Sequence, residues 1–335
     1  MIADASVIND RLHRDPETAL PTTTNCRLLL LLLVLASCPV YSDAPLLLIL
    51  QSGSAPVYQE VTQSILTSVE SICSECRNYR ISQANIEDEP LEKLLEPDGD
   101  KPKLLVTIGV NAARRVAELQ SATPRLYTLI PLSTAASLKM DESAASTSAI
   151  YLDQPFTRHL NLIKLIGTGK QVVGVLFGPV TQDSSAVLKL AAAELGISIR
   201  QETVTEQSQV GPALRRLLEE SDLLLALPDP LVYNQNTIFN ILLSSYHNQV
   251  PVVGFSASYV KAGALLAVYS TPSNIGRQIA ETIRQFVTTG SNALPDAAFP
   301  RYFSIEVNRN VARSLDIDLP SAIELQKHLE QLEER

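Results

Sequence analysis

Short apolar segments alternate with amphipathic segments along most of the chain, and this alternation constrains the fold more than any other feature. Residues 46–51, 104–108 and 172–177 are continuous apolar runs bounded by turn residues, as is typical of buried parallel strands. The segments 57–72 and 275–287 carry apolar residues at helical spacing. Strands that alternate with helices predict an α/β fold in which helices cross over parallel sheets.

The alternation occurs in two runs that join near residues 150–156. A chain of 335 residues has room for about two domains. The two runs therefore predict two Rossmann-like lobes, each with a parallel sheet, joined by a hinge. Ligands of such open sheets bind beyond the carboxyl ends of the strands. The candidate site comprises the loops that follow the predicted strands, at residues 52–58, 109–111, 131–134, 177–181, 228–234 and 255–260.

An apolar run at residues 28–36 lies near the N-terminus, directly after Arg27. It is too short for a membrane span, which needs roughly 20 residues, but it has the length of the hydrophobic part of a signal peptide. Leu35-Ala36-Ser37-Cys38 then resembles the lipobox of bacterial lipoproteins. The resemblance implies that residues 1–37 are a removed signal peptide of the lipoprotein type and that Cys38 carries the lipid anchor.

Two other interpretations of this N-terminal segment stay open. Cleavage after Ala44 would release a soluble periplasmic protein, and an uncleaved segment would itself hold the protein in the membrane. All three interpretations export the domain that follows.

Cys73 and Cys76 are the other two cysteines of the exported part. In an oxidising compartment the pair could close a small disulfide at the end of the helical segment 57–72. A thioredoxin-like redox site is the alternative, although such pairs usually open a helix rather than follow one.

Motifs of catalysis and cofactor binding are missing from the candidate loops. No glycine-rich dinucleotide or phosphate loop and no Gly-x-Ser-x-Gly elbow is present. His159, His247 and His328 lie on predicted helices without the spacing of metal ligands. We therefore expect neither an enzyme nor a cofactor or metal site. The net charge of −9 also disfavours nucleic acid as a partner.

The candidate loops instead offer hydroxyl, amide and aromatic groups, which suit a site that binds a small molecule. The candidate ligand-binding residues are Ser52, Tyr58, Gly109, Asn111, Thr134, Asp229, Tyr233, Asn234, Ser256 and Tyr259. For Ser52 and Asn111 an ordinary role in a turn or helix cap is at least as well supported. The three tyrosines are less easily explained as turn residues, although packing between lobes would also cover them.

Several segments resemble the ABC-transporter substrate-binding proteins, a family with the periplasmic binding protein type I-like fold. The similar segments are LPDPLVYN at 227–234, VPVVGFS at 250–256, YVKAGAL at 259–265, NIGRQIA at 274–280 and NRNVARSLDIDLP at 308–320. Asp316 stands in the last segment where the family usually has Gly. The order and spacing of these segments carry the resemblance, which covers most of residues 45–320 and is closest to the subgroup with tryptophan-like or uncharacterised cargo.

The resemblance implies two lobes that close on a small ligand and three crossings between them, near residues 153–154, 268–269 and 300–301. Lobe 1 would comprise residues 38–153 and about 270–299, and lobe 2 residues 154–268 and about 300–320. Residues 321–335 would form a C-terminal helix or tail.

The resemblance also implies a functional setting. A monomeric, lipid-anchored protein facing the periplasm would deliver its ligand to a membrane permease driven by an ATPase. The candidate loops contain one acid, Asp229, and almost no base. A neutral, aromatic or apolar ligand is therefore expected rather than an amino acid. A sensor or partner-binding envelope lipoprotein of the same fold is the alternative.

Overall fold

Eleven strands form two separate sheets in the computed structural model, which describes residues 44–95, 100–138, 146–167 and 171–334. The first sheet contains β1 (Leu46–Gln51), β2 (Arg80–Asn85), β3 (Pro102–Ile108), β4 (Arg125–Ile130) and β5 (Thr147–Tyr151). Its order is β2-β1-β3-β4-β5, and every pair is parallel.

The second sheet contains β6 (Val172–Phe177), β7 (Ser198–Thr203), β8 (Leu223–Leu225), β9 (Val252–Gly254), β10 (Leu266–Tyr269) and β11 (Ser304–Val307). Its order is β11-β10-β9-β8-β6-β7. The edge strand β11 runs antiparallel to β10, with Val307 opposite Leu266, and the other pairs are parallel.

Twelve α-helices connect these strands in the described part of the chain. They are α1 (Pro56–Ile72), α2 (Leu91–Leu95), α3 (Val110–Ala117), α4 (Leu132–Ser137), α5 (Phe156–Ile166), α6 (Ser185–Glu194), α7 (Val210–Glu219), α8 (Ile238–His247), α9 (Ala257–Ala262), α10 (Pro272–Thr289), α11 (Arg309–Ser314) and α12 (Ala322–Glu333). None of the helices in these ranges is both long and apolar enough to cross a bilayer.

Helices cover both faces of the first sheet, which explains why its central strands are apolar throughout. Leu47 and Ile49 pack in a cluster with the inner faces of α1 and α10, and Leu46 and Leu48 pack on the opposite face with α3. Helix α10 thus returns to the first sheet although it follows β10 of the second. We call this sheet with its helices the first lobe.

The second sheet has two comparable core clusters. Helices α5, α6 and α12 cover one face and α7 and α8 the other. Leu325 and Leu329 of α12 are fully buried in the first of these clusters. The C-terminal segment, predicted as a separate helix or tail, therefore packs into this body, which we call the second lobe.

The structure confirms the predicted α/β fold with two mostly parallel sheets, and it adds details that periodicity did not predict. Strand β5 and helices α4 and α9 are short, and their sequences show no clear apolar period. Strand β11 is antiparallel, an exception to the parallel pattern. The proposed signal peptide and Cys38 lie outside the described residues, which begin at Ala44, the residue of the alternative cleavage.

Candidate functional site

A cavity of about 350 Å³ lies between the two lobes, beside the segments that connect them. The first lobe contributes the start of α4, the first connection contributes residues 152–156, and the second lobe contributes loops after β6, β8 and β9. The cavity is lined by Pro131, Leu132, Ser133, Leu152, Asp153, Gln154, Phe156, His159, Val180, Thr181, Ser184, Leu227, Pro228, Phe255, Ser256, Tyr269, Ser270 and Phe299. Its size is at the lower end of the range for small-molecule sites.

Aromatic and aliphatic side chains form most of this lining. Four of the lining residues are aromatic: Phe156, Phe255, Tyr269 and Phe299. The lining within the described ranges includes one carboxylate and one imidazole, and it contains neither lysine nor arginine. A buried anion would therefore lack a cationic partner there, which disfavours anionic ligands.

Asp153 joins the first connection between the lobes to helix α4. Its Oδ2 accepts a hydrogen bond of 2.7 Å from the backbone N–H of Leu132. Burial raises the pKa of Asp153, and this hydrogen bond opposes the increase. The carboxylate thus helps to position the first-lobe wall of the cavity.

His159 lies one turn into α5 and is 4% exposed. Its Nδ1 is 3.4 Å from the carbonyl oxygen of Pro155. Burial lowers the pKa of His159 to about 4, so the imidazole is neutral at physiological pH. Its Nε2 is buried and has no hydrogen-bond partner among the described residues.

A hydrogen-bond network ties together the three connections beside the cavity. Gln154 Nε2 donates to Ser270 Oγ at 2.9 Å, and Ser270 Oγ donates to the carbonyl oxygen of Tyr302 at 2.7 Å. Arg158 Nη1 donates to Gln154 Oε1 at 2.6 Å and to the Pro300 carbonyl oxygen at 2.8 Å. The connections at residues 152–155, 270–271 and 299–303 therefore share one set of contacts.

The structure brings three predicted second-lobe residues together at the cavity wall. Ser256 lines the cavity, and Tyr259 and Tyr233 lie behind it around Phe255. The rings of Phe255 and Tyr259 are 4.3 Å apart, and Tyr259 Oη donates to the Tyr233 carbonyl oxygen at 3.3 Å. Burial raises the pKa of Tyr259 to about 12 and that of Tyr233 further. These neutral phenols support the wall rather than line the cavity.

Asp229, predicted as a ligand-binding acid, is buried and bonded to backbone groups of two loops of the second lobe. It is 1% exposed and does not line the cavity. Its Oδ2 accepts hydrogen bonds from the backbone N–H groups of Val180 and Thr181, and its Oδ1 accepts one from Leu231. Buried carboxylates of this kind are stabilised by several amide donors, and here Asp229 fixes the loop after β6 against the loop after β8.

Asn234 is likewise occupied by its own turn. Its Nδ2 donates to the carbonyl oxygens of Pro230 and Leu231, and its Oδ1 accepts from the N–H of Asn236. Such local bonds are typical of asparagine in turns.

The predicted first-lobe residues Ser52, Tyr58 and Gly109 meet at the end of β1, away from the cavity lining. Ser52 Oγ accepts a hydrogen bond from Ala112 N–H at the start of α3. Gly109 has φ +93°, and a Cβ there would lie 2.6 Å from Ser52 Oγ and 2.8 Å from Tyr58 Cε1. The glycine is thus required by backbone conformation and by close packing.

The remaining two first-lobe predictions also lie outside the lining. Asn111 is exposed on α3, and Thr134 is half-buried on α4, next to the lining residue Ser133.

Sequence reasoning missed the residues of the connecting segments, above all Gln154, Phe156, His159, Tyr269 and Phe299. The predicted site residues all come from loops after predicted strands, whereas the connections are predicted only as crossings between the lobes. Their position between the lobes was the signal that could have found them, because a segment that crosses between two lobes must border the cleft.

The cysteine pair, metal binding and the remaining histidines are the other features considered for chemistry. A disulfide links Cys73 and Cys76, whose Cα atoms are 5.3 Å apart, directly after α1. In the described ranges no three His, Cys, Asp or Glu side chains form a group that could hold a metal. His247 and His328 are exposed on α8 and α12.

Two α/β lobes around a lined cavity define a ligand-binding protein of the periplasmic binding protein type, and comparison with known families agrees. Residues 69–328 match the family of ABC transporter substrate binding proteins. The chain belongs to this family. The resemblance seen in the sequence is thereby confirmed. No curated protein sequence matches the chain.

Solved structures support the same fold. A ligand-free, open substrate-binding protein with adhesive properties from Clostridium difficile is 18% identical, with a TM-score of 0.66 over 83% of this chain and 96% of that one. The ABC domain from Streptococcus pneumonia in complex with L-Trp is 17% identical, with a TM-score of 0.57 over 85% and 98%. A conserved domain protein from Vibrio cholerae is 22% identical, with a TM-score of 0.56 over 84% and 98%.

Proposed function

We propose that the protein is the substrate-binding component of an ABC-type importer, which closes its lobes on a small neutral ligand with an aromatic or apolar body. The observation that carries this proposal is the apolar cavity between the lobes, whose lining in the described ranges has no lysine or arginine. The ligand would then pass to a membrane permease driven by an ATPase. A bound ligand favours the closed form only by its differential affinity for that form.

The proposed lobes follow the packing of the chain. The first comprises residues 38–153 and about 270–299, since α10 packs on α1. The second comprises residues 154–268 and about 300–320, since β11 pairs with β10, and α12 packs beside it. Closure would take place at the connections that Gln154, Ser270 and Arg158 join.

Ligand charge is the sharpest test of this function. One- and two-ring compounds would be titrated in matched charge states, including indole, the cation tryptamine and the anion indole-3-acetate. We expect neutral compounds to bind best and anions at least about tenfold more weakly, because a buried carboxylate lacks a partner. Isothermal titration calorimetry and thermal shift measure both affinities.

A matched pair of variants locates the binding. Ser256→Trp fills the cavity and should abolish binding, whereas Ser208→Trp, at an exposed position of the same lobe, should not. Failure of the whole panel to bind, or equal binding by the Ser256→Trp variant, would contradict the proposal.

We also propose that Cys38 is lipidated and that the domain faces the periplasm. The apolar run at 28–36 and the small residues before Cys38 support this. Expressed in a bacterial host with an alkyne-labelled palmitate, the protein should carry the label and sediment with membranes. Cys38→Ala should lose both properties, and Cys26→Ala, within the removed segment, should keep them. A native protein without label would instead favour cleavage after Ala44.

A further inference from the structure

His159 lines the cavity, and its ring nitrogen Nε2 has no hydrogen-bond partner among the described residues. The residue borders the cavity with Phe156 and Phe299, yet it is only 4% exposed. The other histidines of the described ranges, His247 and His328, are exposed to solvent.

The contacts of His159 determine which nitrogen carries its proton. The Pro155 carbonyl oxygen lies 3.4 Å from Nδ1, and a carbonyl can only accept, so Nδ1 carries the hydrogen. Burial above all, and also the guanidinium of the preceding residue Arg158, oppose a second proton on the ring. Nε2 is therefore a bare acceptor.

Nε2 has no hydrogen-bond donor among the described residues. An unpaired buried polar atom is costly and is normally satisfied by a protein group, water or ligand. Five other buried side-chain atoms in the described ranges also lack partners, on Thr107, Arg125, Ser221, Tyr233 and Ser245. None of those residues lines the cavity, so His159 alone of this set combines an unpaired atom with the ligand site.

We propose that His159 determines ligand specificity by accepting, at Nε2, a hydrogen bond from an N–H or O–H group of an uncharged ligand with an apolar ring. This inference rests on the proposed function, because it assumes that the cavity holds such a ligand. Nε2 is covered in this structure, so the donor reaches it when the ring or the wall shifts on binding.

This contact can be tested with pairs of compounds that differ only in whether they carry a hydrogen-bond donor. Indole and benzofuran share one shape, as do phenol and toluene, but only the first of each pair has an N–H or O–H. After correction for the difference in hydration of the two compounds, we expect the wild-type protein to bind the donor compound about tenfold more tightly than its partner. NMR titration measures both affinities.

Variants separate the hydrogen bond from packing. His159→Phe keeps a ring but removes the acceptor and should abolish the preference for donors. His159→Gln keeps an acceptor near the position of Nε2 and should retain much of it. His247→Phe is the matched control at an exposed histidine and should leave it unchanged.

The nitrogen signals of His159 give a test that needs no variant. In protein with ¹⁵N-labelled histidine, the Nε2 resonance of the neutral ring should shift on addition of indole and stay in place on addition of benzofuran. If both compounds bind but neither the preference nor the Nε2 signal distinguishes them, the role of His159 is wrong while the proposed function stands. If no compound binds, both fail.

Discussion

Asp316 ends helix α11 with a left-handed backbone, at φ +53°. Its N–H donates to the Arg313 carbonyl oxygen, and the N–H of Ile317 donates to that of Ala312. These two bonds form a Schellman motif, in which Asp316 holds the position that favours glycine. The structure thus gives a physical reason for the glycine that the family usually has here.

Replacing Asp316 with glycine should stabilise the protein. Asp316→Gly removes the steric cost of a Cβ in the left-handed region, and the greater freedom of glycine in the unfolded chain offsets part of the gain. We expect the free energy of unfolding to rise by roughly 0.5–1 kcal/mol, measured by urea denaturation.

Gly196 provides the reciprocal control, because it ends α6 in the same motif at φ +71°. A Cβ at Gly196 would meet nothing within 4 Å, so Gly196→Asp tests conformation without a clash. It should lower the free energy of unfolding by a similar amount. A gain in stability from both substitutions would refute this account.

At the scale of elements, the C-terminal helix α12 reaches the connections between the lobes through one ion pair. The Glu333 carboxylate accepts two hydrogen bonds from Arg158, one from Nε at 2.6 Å and one from Nη2 at 2.5 Å. The Arg158 guanidinium also lies over the Phe303 ring, 4.1 Å from its centroid. Since Arg158 is bonded to Gln154 and Pro300 as well, α12 supports the connections between the lobes and not only the core.

Removing the charge of Glu333 should therefore lower the stability of the protein and loosen the connections that Arg158 joins. The side chain of Arg158 is 4% exposed and that of Glu333 30%, so Glu333→Gln leaves a buried guanidinium only partly paired. We expect a loss of about 2 kcal/mol in the free energy of unfolding, since the partial exposure of Glu333 reduces the cost of a fully buried pair.

Glu334→Gln is the control for this helix, as the neighbouring exposed residue. It should change the free energy of unfolding by less than about 0.5 kcal/mol. Equal effects of the two substitutions would show that helix α12, and not the pair with Arg158, accounts for the loss.

Apolar periodicity predicted the longer elements but not the short ones. Strand β1 and helix α10 could be predicted from their apolar residues. Strand β1 is buried on both faces, and helix α10 buries a continuous apolar stripe. Strand β5 and helix α9, with five and six residues, are too short to show a clear period. Strand β5 pairs with β4 and forms a bridge from Ile150 to Ala298, contacts that no local pattern indicates. Antiparallel pairing of β11 depends on where the third connection enters the second sheet.

At the scale of the whole molecule, the cleft depends on contacts between distant parts of the chain. Gln154 and Ser270 are 116 residues apart, and Arg158 and Glu333 are 175 residues apart. No local pattern predicts such pairs. The hydrogen bonds of Asp229 to Val180 and Thr181, 49 and 48 residues away, could not be predicted for the same reason, since only the folded loops bring these backbone groups within reach.

The amino-acid sequence by itself determined the alternation of strands and helices, the two-lobed α/β fold and the family, because these depend on local apolar patterns and on ordered segments. It also indicated the loops after β6, β8 and β9, which contribute residues to the cavity lining. Tertiary structure alone decided which side chains line the cavity. His159 and the residues of the connections lie at the cavity because burial and hydrogen-bond partners are set by packing between segments far apart in the chain.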